Sequence, residues 1–205
     1  MTGFRTPNFR DRHAIILHQP GDTIDRLVRQ LERLGMRTDV HWPDFPADGS
    51  YADVIFFDAD NAFDELFPWA PGAAPMPLVA LLGSELPGRL EWAMRQGFSS
   101  HVVKPVQSSG VFSALVIAFA NFEAARETQR LTDALTARLD GRPAVIRAVV
   151  ALMAACGIDD TAAYARIRSA AMARRVTVED FCATLDPAAI DRLFADQTNP
   201  RKQTR

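Results

Sequence analysis

Three observations predict a doubly wound, flavodoxin-like α/β sheet followed by a long helix and a small bundle of three helices. Short apolar runs alternate with amphipathic stretches over the first 120 residues. Residues 111–139 contain neither Gly nor Pro, and residues 140–186 hold three further helical periods. Apolar strands alternating with helices favour a parallel sheet covered on both faces, and five strands in about 110 residues suit flavodoxin-like winding.

Each element has its own signal. His13–Leu17 is an apolar run ended by Gln19-Pro20-Gly21-Asp22, a strand and then a turn. Residues 23–35 place Ile24, Leu27, Leu31 and Leu34 at helical spacing, with Gly35 suited to the left-handed residue after a last turn. Met36–His41 reads as a second strand, Asp53–Phe57 as a third ending at Asp58, and Leu78–Leu82 as a fourth ended by Gly83-Ser84. Pro87–Gln96 is helical, because proline is tolerated in a first turn, and Gly97 stops it. Ser100–Val103 is a fifth strand closed by Lys104-Pro105, and a helix starts at Val111 with Ser108 or Ser109 as cap. In such a sheet the functional crevice lies at the carboxyl ends of the strands, which here carry His18, Gln19, Asp58, Leu82, Gly83 and Lys104.

Composition sets the outer bounds. Hydrophobic residues make up 48% of the 205 and charged residues 23%, which excludes wholesale disorder. The longest unbroken apolar run, Ala148–Cys156, has nine residues, far short of the roughly 20 that a bilayer span needs, so no membrane role is expected. The N-terminus has no apolar core of a secretory signal. Cys156 and Cys182 cannot by themselves form a disulfide framework or a zinc site, and they read as reduced thiols of a cytoplasmic protein. Charge is uneven. Residues 1–129 hold 11 Lys+Arg against 16 Asp+Glu, net −5, whereas residues 130–205 hold 12 against 9, net +3. Only the second half favours a polyanion. No cofactor or metal is expected: GxGxxG, Walker and nucleophile-elbow motifs are missing, and the four histidines are scattered.

Asp58 at the end of an apolar strand, and Lys104-Pro105 after a later one, resemble the receiver domain of response regulators over residues 12–120. The resemblance makes Asp58 the phosphoacceptor position and Lys104 the lysine that senses the phosphoryl group. It also places His18-Gln19 where an acidic pair should hold Mg²⁺, and Leu82 where a hydroxyl should contact the phosphoryl group. Mg²⁺ is a hard cation that wants several oxygen ligands, and phosphoryl transfer without it loses its main charge stabilisation. The expectation is therefore a pseudo-receiver in which Asp58 is inactive and either pairs with Lys104 or hydrates the crevice.

Leu115, Phe119 and Phe122, then Leu131, Leu135 and Leu139, recur at three- and four-residue steps along 111–139. One long helix with a coiled-coil dimer seam is the simplest reading; folding of the stripe back onto its own chain is the other. Asp140-Gly141-Arg142-Pro143 breaks or kinks that helix. Ala144–Ala155 then carries Val145, Ile146, Val149, Leu152 and Met153, and Gly157 closes it. Asp159 or Asp160 opens a second helix and Thr177 a third, whose inner face is Val178, Phe181, Cys182 and Leu185. Arg147, Arg166, Arg168, Arg174 and Arg175 supply cations for phosphates, the alternative being a solvated face. Tyr164 could stack a base, but its spacing with Ile167 favours the core. Asp186–Arg205 is a tail with a short helix at Ala188–Ala195.

Ala148, Leu152-Met153, Gly157, Ala163, Ile167-Arg168 and Ala171–Arg175 in this order resemble the ANTAR domain. Together with the metal-poor receiver, the long helix and Trp42-Pro43, they make the chain similar to the AmiR/NasR family of antitermination regulators, with the ANTAR part at 140–186 and a tail from 187. The resemblance implies RNA binding to leader hairpins, which lets transcription read through a terminator. It also implies a homodimer, and silencing by a periplasmic-binding-protein-like sensor. Two rival readings keep the same architecture. In one, phosphorylation of Asp58 drives an ANTAR output. In the other, the three small helices bind duplex DNA as a helix-turn-helix.

Overall fold

The computed structural model describes residues 7–185, apart from residues 62 and 85 and the side chain of Ser50. The expected tail helix and the basic Arg201, Lys202 and Arg205 lie outside the described residues. The chain divides into two compact units, 1–127 and 128–205.

In the first unit, five parallel strands form one sheet in the order β2-β1-β3-β4-β5. They are β1 His13–Leu17, β2 Arg37–His41, β3 Val54–Asp58, β4 Leu78–Leu82 and β5 Ser100–Val103. The register pairs Ile15 with Ile55, Asp58 with Leu81 and Leu82 with Val103. Successive side chains of a strand point to opposite faces, and the two cores follow that alternation. Ala14, Ile16, Val54, Phe56, Val79, Leu81 and Val102 join one core, packed under α1 (Asp22–Arg33) and the start of α3 (Val111–Cys156). Ile15, Leu17, Ile55, Phe57, Leu78, Ala80 and Leu82 join the other.

That second face departs from regular strand–helix alternation. Among the described residues only α2 (Pro87–Gln96) covers it as a helix, with Trp92 and Ala93 buried. Among the described residues, the connections β2–β3 and β3–β4 hold no α-helix, only a short 3₁₀ turn at Gly49–Tyr51. Pro43, Pro46, Pro68, Pro71, Pro75 and Pro77 punctuate these segments, and proline both removes an N–H donor and clashes with the preceding helical turn. Aromatic side chains do the covering instead. Phe67 stacks on Trp69 at 5.3 Å between ring centroids, and Phe57 meets Phe67 edge-on at 5.4 Å. Such contacts add to the burial of apolar area.

Several stop signals act as read. Gly35 and Gly97 follow α1 and α2 at φ +78° and +77°, a backbone region in which glycine carries no Cβ clash. The start of α3 is corrected: its first turn closes on Gly110, whose carbonyl accepts from Ala114 N–H and Ser113 Oγ, rather than on Ser108 or Ser109.

Of the break or kink expected at Asp140–Pro143, the break is corrected, because α3 runs unbroken through Pro143. A proline inside a helix costs roughly 3 kcal/mol. Tertiary packing offsets it here, since Ala144, Val145, Ala148 and Leu152 immediately afterwards enter the third core. Gly141 allows a close approach of α5 (Val178–Ala183), for a Cβ there would sit 2.6 Å from Glu179 Cβ. α4 (Asp160–Arg174) is capped by Asp159, which accepts from Ala162 N–H at 2.7 Å. Thr177 caps α5, accepting from Asp180 N–H at 3.0 Å. Ala148, Leu152, Ala163, Ile167, Ala171, Phe181 and Cys182 close this small bundle.

Candidate functional site

The first unit gathers four strand ends. His18 follows β1, Asp58 closes β3, Gly83 follows β4 and Lys104 follows β5, so segments distant in sequence meet at one crevice. Asp58 is completely buried. Its Oδ1 accepts from Lys104 Nζ at 2.8 Å and from Asp60 N–H at 3.0 Å. Its Oδ2 accepts from Asn61 Nδ2 at 2.8 Å and faces His18 Nε2 at 3.3 Å. His18 Nδ1 lies 2.7 Å from the Gln19 carbonyl, a contact that requires the hydrogen on Nδ1. Nε2 is then free to accept from Lys104 Nζ at 3.2 Å. Lys104 also reaches Asp60 Oδ2 at 2.7 Å, so all three of its ammonium hydrogens are engaged.

Electrostatics follow the geometry. Burial pushes the Asp58 carboxyl up, but the hydrogen bonds from Lys104 and Asn61, together with the Lys104 charge, outweigh it and hold the carboxyl below its ordinary value. Burial likewise pushes Lys104 down, and the hydrogen bonds and charges of Asp58 and Asp60 outweigh it and hold the ammonium above its ordinary value.

The receiver fold implies Mg²⁺, and this donor set does not fit it. Hard cations need free carboxylate or carbonyl oxygens. Both Asp58 oxygens are occupied by N–H donors, the Lys104 ammonium sits between Asp58 and Asp60, and an imidazole stands at His18. Leu82 offers no hydroxyl. The expected pairing of Asp58 with Lys104 is thus present. Sequence reading missed Asp60 and Asn61. Their signal was the polar turn Asp58-Ala59-Asp60-Asn61, in which an Asp side chain bonds the backbone two residues on.

The dimer seam needs a correction. Leu115 and Phe119 are buried in the core of the first unit; the Phe119 ring lies 5.5 Å from that of Phe9 and 4.4 Å from the Arg12 guanidinium. They are already covered within their own chain. Phe122 is half-buried beside Arg126. Leu131, Leu135 and Leu139 are more than half exposed.

In the second unit, Arg147, Arg168, Arg174 and Arg175 are exposed. Arg166 is half-buried, with Nη1 enclosed and without a hydrogen-bond partner among the described residues. Arg174 lies over the Phe181 ring at 5.0 Å. Tyr164 is 45% exposed, which corrects its expected place in the core, and Met172 is 67% exposed. Four-residue steps put Tyr164, Arg168 and Met172 on one side of α4, with Arg175 just past its end. A planar ring and guanidinium groups on one helix face can stack an unpaired base and bind phosphates. Ile146, one of the apolar residues carried by 144–155, is 63% exposed.

Among the described residues no single helix is long and apolar enough to cross a membrane. The family described as AmiR, N-terminal, matches residues 12–119, and the ANTAR domain family matches residues 133–185. The aliphatic amidase regulator of Pseudomonas aeruginosa is 28% identical over 171 residues, covering 82% of this chain and 87% of that protein. Among solved structures, the Rec1 domain of ShkA in complex with c-di-GMP is 24% identical and covers 53% of this chain and 94% of its own, at a TM-score of 0.40. A CheY-like response regulator from Mesorhizobium loti is 18% identical, covering 52% and 96%, also at 0.40. The chain belongs to the AmiR family of antitermination regulators, an AmiR-type N-terminal domain followed by an ANTAR RNA-binding domain.

Proposed function

We propose that this regulator binds leader-RNA hairpins as a dimer in the cytoplasm, and that a sequestering ligand-sensor protein of the periplasmic-binding-protein type controls it rather than phosphorylation. The scaffold is residues 12–120, the dimerising helix 111–139 and the RNA-binding bundle 140–186. The observation that carries the reading is the closure of Asp58. A phosphoacceptor needs an accessible oxygen, and this carboxylate is completely buried with an N–H donor on each oxygen. That supports a scaffold without phosphotransfer or any other catalytic step, and leaves a protein partner as the means of control. The exposed Leu131, Leu135 and Leu139 support self-association through the second part of the seam. The exposed Arg147, Arg168, Arg174 and Arg175, with Tyr164 on the same side of α4 as Arg168, support RNA contact, and a dimer gains avidity by holding two hairpins.

Fluorescence anisotropy of the full chain with a labelled hairpin from its own leader, competed with unlabelled hairpin or duplex DNA at stated salt, tests the reading. Competition by hairpin RNA and not by DNA is expected. Preferential competition by duplex DNA would replace it with a DNA-binding regulator. Hairpin binding that needs a phosphodonor and Mg²⁺, with an adduct on Asp58 in the intact mass, would replace it with a phosphorylation-driven one.

A further inference from the structure

Asp60 holds a position that no loop turn explains by itself. Its Oδ2 accepts from Gly83 N–H at 2.7 Å and from Lys104 Nζ at 2.7 Å, while its Oδ1 accepts from Ser84 N–H at 3.1 Å. Two successive backbone N–H groups and an ammonium converging on one carboxylate make a concavity suited to an oxyanion. Close fit is built in: a Cβ on Gly83 would lie 2.7 Å from Asp60 Oδ2 and 3.0 Å from Lys104 Cε.

We propose that Gly83 N–H, Ser84 N–H and Lys104 Nζ form an oxyanion-binding site for a carboxylate or tetrahedral oxyanion, and that Asp60 is its resident ligand. The anion is supplied by the chain, so the crevice is permanently in its filled state. This deepens the reading given above, resting on it for one consequence: phosphate-type signals are excluded because their seat is occupied, not only because Asp58 is closed. A simple clasp between two loops would use the same hydrogen bonds but would leave no anion site when cut.

The test is Asp60→Ala in the full chain, which removes the carboxylate and leaves the donors. Thermal midpoints are measured with sodium formate, inorganic phosphate or chloride at equal ionic strength, together with the backbone amide shifts of Gly83 and Ser84. Formate and phosphate are expected to raise the midpoint of Asp60→Ala saturably and to move those two amides. The parent is expected not to respond. Neither is Asp64→Ala, which loses a bond to Trp92 Nε1 on the same loop but opens no such site. Should Asp60→Ala fail to fold in chloride, recovery in formate supports the proposal, and Asp60→Ser is then read in the same way. Absence of any formate or phosphate response in the folded variants overturns it. Hairpin binding by the parent is measured separately. Its loss with the anion response intact sinks the functional reading alone, and the reverse result sinks the site alone.

Discussion

Replacing Lys104 by Met tests the crevice through its energetics. The ammonium donates to the completely buried Asp58 at 2.8 Å and to Asp60 at 2.7 Å. Met keeps much of the apolar stem and removes the charge. Asp60 retains two backbone donors, whereas Asp58 loses its only full opposite charge. Breaking a buried pair by removing one partner costs about 3–5 kcal/mol, and the retained bonds of Asp58 to Asp60 N–H and Asn61 place the loss near the lower end, about 3 kcal/mol. The pH profile changes sign. In the parent the Asp58 carboxyl is held below 3.8, so its contribution is present above that value and is lost as pH falls through the depressed one. In Lys104→Met burial is no longer outweighed and the carboxyl rises. Stability is then regained on acidification, at most about 1.4 kcal/mol per pH unit between the raised and ordinary values. All three tryptophans, Trp42, Trp69 and Trp92, lie in the first unit, so urea unfolding followed by their fluorescence isolates it. Adding Asp58→Asn is expected to recover part of the loss, because the unpaired charge is gone. A Lys104→Met protein within about 1 kcal/mol of the parent, with an unaltered pH profile, would refute this reasoning.

Other outcomes follow from the same geometry. Gly83→Ala is expected to destabilise the first unit by about 1–3 kcal/mol, because its Cβ meets Asp60, and tryptophan-monitored unfolding measures it. Leu135→Glu is expected to shift the chain toward monomer in sedimentation velocity while leaving tryptophan-monitored stability unchanged. Arg168→Ala and Arg175→Ala are expected to weaken hairpin binding and to lower the salt slope by about 0.7–0.9 for each lost phosphate contact. Tyr164→Ala is expected to cost about 1–3 kcal/mol of hairpin affinity in the anisotropy assay, with little change in bundle stability, since the ring is exposed.

β1, β3 and β4 were legible because each is a short apolar run buried on both faces, as in Ile15, Ile55 and Val79, whereas the edge strands β2 and β5 carry exposed residues. Gly35, Gly97, Asp159 and Thr177 were legible because helix ends depend on one local residue. What stayed hidden depends on distance. The bonds from Gly83 and Ser84 to Asp60 span 23 and 24 residues, and the Lys104–Asp58 bond spans 46. No sequence period announces such a convergence. Pro143 looked like a break because its local propensity is unfavourable, and tertiary packing of Ala148 and Leu152 overrides it. Leu115 and Leu135 look alike in a three- and four-residue pattern, yet one is buried in a core and the other exposed. The period reveals a stripe but not what covers it. Tyr164 shows the converse, a core-like spacing on an open face.

Single-round transcription of a template carrying the leader terminator beside this gene tests the central claim most directly. The full chain alone, with neither phosphodonor nor Mg²⁺-dependent activation step, is predicted to raise terminator read-through, and Asp58→Asn is predicted to change read-through only as far as it changes folding. Read-through that stays at the protein-free level, or that rises only once Asp58 carries a phosphoryl group, would contradict the account.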